Sequence, residues 1–147
     1  MEIQLVDNGV NTEDFCNLRA KVYRETPKDQ AEKSLKHTLF SVAALYEEKV
    51  VGMGRLVGDG VMYWYLQDII VLPDYQGKGI GKAIVERLIQ YVSENSLPGT
   101  STTIGLMAAK GKEGFYEKLG FLCRPSNKFG AGMTLLLEIA DTEEGTQ

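Results

Sequence analysis

Between an apolar run ending "LQDIIVLP" and a long amphipathic segment lies Gln76-Gly77-Lys78-Gly79-Ile80-Gly81-Lys82, with glycine at three alternate positions. This tract constrains the chain more than any other. Ile80, Ile84 and Leu88 form one line beyond it, flanked by Val85, Ile89 and Val92, while Lys82, Glu86, Arg87, Gln90 and Glu94 take the opposite face. That spacing predicts a helix with one buried stripe. The run before it, Val61 to Leu72, is rich in aromatic and β-branched residues and stops at Pro73, as a strand does. A strand therefore passes to a helix through a loop stripped of side chains. Glycine at such a junction lets something approach the backbone closely.

Phosphate is the obvious visitor, and three motifs compete for the tract. A Walker A loop ending at Gly81-Lys82 would place Gln76 at its first glycine and Ala83 at its metal-binding hydroxyl, so two defining positions fail. A dinucleotide fingerprint begun at Gly77 ends on Lys82, and one begun at Gly79 ends on Ile84, where glycine is required. The pattern that fits is Q-x-x-G-x-G, formed by Gln76, Gly79 and Gly81. The first turn of a helix leaves backbone N–H groups unpaired, and the helix dipole makes that end positive. A diphosphate suits such an end, with Lys78 and Lys82 adding charge.

The rest of the chain is consistent with one mixed α/β domain over residues 1–147. "EIQLV" reads as a first strand; Asn11 and Thr12 are placed to cap a helix carrying Phe15, Leu18 and Val22; Lys28 to Lys36 reads as a second, polar helix. Two β-rich runs flank Glu47-Glu48-Lys49 as a hairpin, and Gly58-Asp59-Gly60 marks the next turn. After the long helix, "TTIGLMA" reads as a strand, Gly111 to Leu119 as a short helix stopped by Gly120, and "FLCR" and "MTLLLEI" as closing strands. The acidic "ADTEEGTQ" reads as a frayed tail from about residue 140.

Sixteen Lys and Arg against twenty Asp and Glu argue against nucleic acid as the main partner. No apolar run is long enough to span a bilayer, no secretory signal is visible, and Cys16 and Cys123 form no CxxC pair. The expectation is a cytoplasmic protein with free thiols and no membrane partner. No metal-ligand cluster stands out, and His37, the single histidine, reads as a surface residue.

The glycine tract resembles the acyl-CoA-binding motif of the GNAT superfamily of N-acyltransferases, and "GFYEKLGF", Gly114 to Phe121, resembles that superfamily's second signature. The likeness runs from about residue 39 to 138. It implies a mostly antiparallel mixed sheet of six or seven strands with about four helices. It also implies acetyl-CoA as cosubstrate, bound through the backbone of Ile69, Ile70 and Val71 and through Gln76, Gly77, Lys78, Gly79, Ile80, Gly81 and Lys82. The family splays the strand before the loop from its neighbour to admit the thioester. Tyr116 matches the tyrosine that protonates the departing thiolate; its alternative is aromatic packing beside Phe115. Where many members carry an asparagine seven residues earlier, this chain has Ala109.

The acceptor implied is a primary amine, most simply a small molecule, attacking directly in a ternary complex. A protein N-terminus or lysine, and a non-catalytic acyl-CoA-binding module, are the alternatives. An ammonium with a pKa near 10.4 must lose a proton before attack. Asp68 is the candidate base, with Tyr63 and Tyr65 as relays through water; a satisfied polar residue at the sheet end is the competing reading. Trp64 is expected in the core or the acceptor cleft. The resemblance further allows a homodimer through the C-terminal strands.

Overall fold

In the computed structural model, which describes residues 2–142, the chain forms two compact units, one up to Leu106 and one from Met107 onward. The first holds a five-stranded sheet in sequential order: β1 (Gln4–Asp7), β2 (Phe40–Tyr46), β3 (Lys49–Gly58), β4 (Tyr63–Val71) and β5 (Thr103–Gly105). Every pairing is antiparallel except β4 with β5. Helices α1 (Thr12–Val22) and α2 (Lys28–Lys36) lie between β1 and β2, and α3 (Ile80–Asn95) between β4 and β5.

Local chemistry sets these elements. Asn11 caps α1 by accepting a hydrogen bond from the Asp14 N–H at 2.8 Å, and Glu13 and Asp14 suit the positive end of that helix. The β2–β3 hairpin turns on Glu47 and Glu48, with φ of 49° and 66°. Both lie in the left-handed region that a two-residue hairpin turn demands. The turn into β4 is organised by Asp59, whose carboxylate accepts from the N–H groups of Val61, Met62 and Tyr63 at 2.8, 2.9 and 2.9 Å.

The sheet is covered on both faces. On one, Phe15 and Leu18 of α1 and Ala31 of α2 bury against Met53 and Ile70. Val22, expected beside Phe15 and Leu18, is instead 42% exposed at the end of its helix. On the other face α3 buries Ile80, Ile84, Val85, Leu88 and Val92. Phe40 stacks on Tyr91 of α3 with ring centroids 3.8 Å apart, and Trp64 meets Tyr91 edge-on. Gly52 and Gly54 of β3 let this helix approach: a Cβ on Gly54 would lie 2.7 Å from Ile69 Cδ1, 2.8 Å from Ile84 Cγ2 and 3.0 Å from Leu88 Cδ1.

The second unit contains α4 (Glu113–Glu117). Its helix closes where the Tyr116 carbonyl accepts from the N–H groups of Leu119 and Phe121, with Gly120 at φ +100°. The expected strands "FLCR" and "MTLLLEI" do not form. Residues 121–141 take part in no ladder, and Leu122, Met133, Leu135 and Ile139 are each at least 82% exposed. The described sheet therefore has five strands, not six or seven. A β-rich composition suits a pleated, half-buried surface but does not supply the partner strand. Of the acidic tail, residues 143–147 lie outside the described residues.

Two outcomes follow from this packing. Gly54→Val should overpack the α3 interface and lower stability by about 1–3 kcal/mol, read from urea midpoints. Hydrogen bonds from the Tyr63 and Val61 N–H groups hold the Asp59 carboxyl below its ordinary value of 3.8. Its stabilising contribution is thus complete above about pH 3.8 and lost as pH falls through the lowered folded value. The stability difference between wild type and Asp59→Asn should accordingly shrink between neutral pH and about pH 3.

Candidate acyl-CoA site

The loop before α3 carries the features of an anion seat. Gly79 is the N-cap residue of α3 at φ +82°, a conformation that L side chains rarely adopt, and it offers no side chain to the helix. Unlike α1, this helix has no capping side chain and no acidic residue in its first turn. The first backbone N–H closed within the helix is that of Ala83, bonded to the Gly79 carbonyl at 3.1 Å. The N–H groups of Ile80, Gly81 and Lys82 precede it, where a helix has no internal acceptor to offer. A Cβ on Gly77 or Gly79 would meet nothing within 4 Å, so the space above the loop is open. Lys78 and Lys82 are exposed beside it. Gln76 also makes a bond within the chain: its Nε2 donates to the Val71 carbonyl at 2.9 Å, latching the loop to the end of β4.

β4 supplies a second surface. Its parallel ladder with β5 runs Tyr63↔Thr103, Trp64↔Ile104 and Tyr65↔Gly105, and stops there. On the other side β4 stays paired with β3 to Val71. From Leu66 onward one edge of β4 is therefore unpaired within this sheet. Ile69, Ile70 and Val71 lie on that stretch. The side chains of Ile69 and Ile70 are engaged elsewhere, Ile70 being 2% exposed in the α1–α2 core and Ile69 facing Gly54, so at these two the backbone is what the edge presents.

Where the edge opens, β4 carries a bulge. Met53 pairs with Ile70 and Arg55 with Gln67, leaving Gly54 opposite both Asp68 and Ile69. Asp68 adopts φ +55° and is 3% exposed. Its Oδ1 accepts from Arg19 Nη1 and its Oδ2 from Arg55 Nε at 2.8 Å. Arg19 and Arg55 are residues that sequence reasoning missed, since they stand 49 and 13 positions away and carry no motif. The base role expected of Asp68 thus meets a carboxylate with both oxygens already accepting.

The remaining candidates divide between the units. Tyr63 is 61% exposed, Tyr65 is half-buried with burial pushing its phenol pKa up, and Trp64 is core. In the second unit Tyr116 is half-buried on α4, edge-on to Phe115 and Phe121 with centroids 4.9 and 5.9 Å away. Ala109 precedes α4, and Lys112 N–H bonds its carbonyl at 2.9 Å. Cys16 and Cys123 are free thiols. A surface depression lined by Glu2, Gln4, Tyr46, Glu47 and Glu48 contains none of the expected site residues. Among the described residues no three His, Cys, Asp or Glu gather as a metal site would need, and no helix is long and apolar enough to cross a membrane.

Known proteins resemble this chain in fold and sequence. A Staphylococcus aureus protein described as a probable acetyltransferase superposes with a TM-score of 0.81 at 30% identity, covering 92% of this chain and 100% of its own. An uncharacterised N-acetyltransferase of Pyropia yezoensis is 29% identical over 127 residues, 84% of this chain and 70% of that protein. The chloroplastic GCN5-related N-acetyltransferase 2 of Arabidopsis thaliana is 35% identical over 79 residues, 54% of this chain but 29% of that protein. The chain thus spans less than a third of this plant relative. The sequence profile of the acetyltransferase (GNAT) family matches residues 10–121, a stretch that includes both β4 with its glycine loop and the Tyr116 helix. The chain belongs to the GNAT acetyltransferase family.

Proposed function

We propose that this chain transfers the acetyl group of acetyl-CoA to a small primary amine by direct attack in a ternary complex. The observation that carries the reading is the uncapped end of α3 set directly after the unpaired edge of β4. The helix end offers N–H donors to a diphosphate, and the strand edge offers backbone groups to the amides of a pantetheine arm. Coenzyme A is a molecule with both parts. Gln76, by latching Val71, holds the two surfaces in register.

In the reaction the free amine attacks the thioester carbonyl, a C–N bond forms, and the C–S bond breaks as the tetrahedral intermediate collapses. The amine loses a proton and the departing thiolate gains one. We assign Tyr116 as that donor, because it occupies the matching place in the second signature and a phenol with an ordinary pKa of about 10 is protonated at neutral pH. An acyl-enzyme is disfavoured: neither cysteine lies in a motif that would activate it, and local desolvation with the nearby Glu117 pushes the thiol pKa of exposed Cys123 up. A panel of amines with acetyl-CoA, read by thiol release, tests the reading directly. Release with small amines and not with peptides supports the acceptor class; peptide acetylation would move it to proteins.

Two substitutions sharpen it. At about a hundred times its dissociation constant, acetyl-CoA should stabilise the wild-type protein by about 2.7 kcal/mol. Gly79→Asp puts a carboxylate where the diphosphate belongs, so this thermal shift should vanish while the unliganded protein stays folded. Tyr116→Phe keeps the ring and its contacts with Phe115 and Phe121. It should lower kcat by roughly a hundred- to ten-thousand-fold with a nearly unchanged Kd for acetyl-CoA. Normal turnover on the preferred amine would reduce Tyr116 to packing.

A further inference from the structure

We infer that Asp68 is a positioning residue: held between Arg19 and Arg55, its carboxylate fixes the bulge that opens β4 and takes no proton from the substrate amine. The inference rests on the acetyl-transfer reading.

A general base must present an oxygen lone pair to the group it deprotonates. Both Asp68 oxygens accept from guanidinium groups, and with the side chain 1% exposed their remaining lone pairs are closed to solvent. The arginines are themselves anchored. Arg19, on α1, donates from Nε to Thr26 Oγ1 at 2.8 Å and lies over the rings of Phe15 and Tyr23. Arg55, on β3, donates from Nη1 to the Ser34 carbonyl of α2 at 3.3 Å and to Thr38 Oγ1 just beyond α2 at 3.1 Å. A single carboxylate thus gathers α1, the end of α2 and β3 onto β4.

The backbone shows what this gathering holds. Aspartate at φ +55° occupies a sparsely populated conformation, which persists only where the surroundings over-determine it. Here they do so at the bulge, three residues after the last β4–β5 pair, Tyr65↔Gly105. The bulge bends β4 where its edge becomes free. Two cations beside the carboxylate also disfavour the close approach of a third, such as a substrate ammonium. Asp68 therefore acts through Arg19 and Arg55 on the strand that would hold the thioester.

The test compares wild type, Asp68→Asn, Arg19→Gln, Arg55→Gln and the double variant Asp68→Asn/Arg19→Gln. Steady-state rates are taken from about pH 6 to 9 with acetyl-CoA and the amine that wild type acetylates best. Amide hydrogen exchange of residues 66–71 is followed in parallel. If the carboxylate works through its arginines, each single variant loses roughly a hundredfold in kcat/KM, the magnitude of an ångström-scale misplacement. The shape of the pH profile stays that of wild type, the double variant loses no more than the worse single variant, and exchange in β4 quickens in all. A deficit of Asp68→Asn that closes as pH rises, with Arg19→Gln and Arg55→Gln at wild-type rates, would make Asp68 the base and overturn the inference. Wild-type rates in every variant overturn it equally.

Should Asp68→Asn fail to fold, Arg19→Lys retains the charge while losing the planar donor. It is expected to show a smaller, pH-independent loss, and wild-type kinetics would refute the positioning role. A wild-type protein that binds acetyl-CoA but acetylates no amine sinks the transfer reading alone. The exchange measurement then decides the inference, which fails if β4 protection is unchanged in Arg19→Gln and Arg55→Gln.

Discussion

Burying a carboxylate is expensive unless its charge and both oxygens are satisfied, and removing one partner of a buried pair typically costs about 3–5 kcal/mol. Asp68 meets that demand with two guanidiniums drawn from separate elements, one on α1 and one on β3. Such a cluster is a weak source of net stability, because the desolvation of three charges offsets most of their attraction. What it gives is uniqueness of arrangement. With Arg19 also bonded to Thr26 and Arg55 to Ser34, the α1–α2 segment has one way to sit on this part of the sheet. The bulge sits at that tie, and the unpaired edge and the glycine loop follow it along the chain.

The starts of α1 and α3 show opposite chemistry for a reason. α1 begins with an asparagine that accepts from its own backbone and with two acidic residues, so its positive end is neutralised within the chain. α3 begins with a left-handed glycine, no cap and no acid. With glycine at the cap position, forgoing a capping side chain costs only about a few tenths of a kcal/mol of helix stability. The five buried side chains of α3 outweigh that loss comfortably, at about 1.5–3 kcal/mol for each fully buried one. The helix can therefore hold its first turn open for a ligand without depending on it to fold.

Much of this was legible in local patterns. The 3.6-residue stripe of Ile80, Ile84, Leu88 and Val92 needs no tertiary knowledge, and three spaced glycines between a strand and a helix announce the loop. The Glu47-Glu48 turn was readable because two β-rich runs pointed at each other. Long-range partners were not. Nothing near Asp68 in the chain names Arg19 or Arg55, so a carboxylate amid apolar residues read equally as a base and as a satisfied polar residue. The task of Gln76 was hidden for the same reason, since its acceptor is a backbone carbonyl. "MTLLLEI" shows the opposite error: its composition permits a strand, but a ladder requires a neighbour, and the described residues give it none.

The bulge at Asp68 also divides β4 into two alternation frames. Ahead of it an even position, Trp64, faces α3; after it the odd position Ile69 faces α3 and the even Ile70 faces α1 and α2. A plain count of odd and even residues across the strand would assign half of it to the wrong face. A single-residue deletion elsewhere in the strand would do more than shorten it. Every side chain on one side of the deletion would exchange its helix neighbours for those across the sheet, placing hydrophobic groups built for α3 against α1. Deleting the bulged residue itself would instead join the two frames into one regular alternation, and would remove the bend together with its carboxylate.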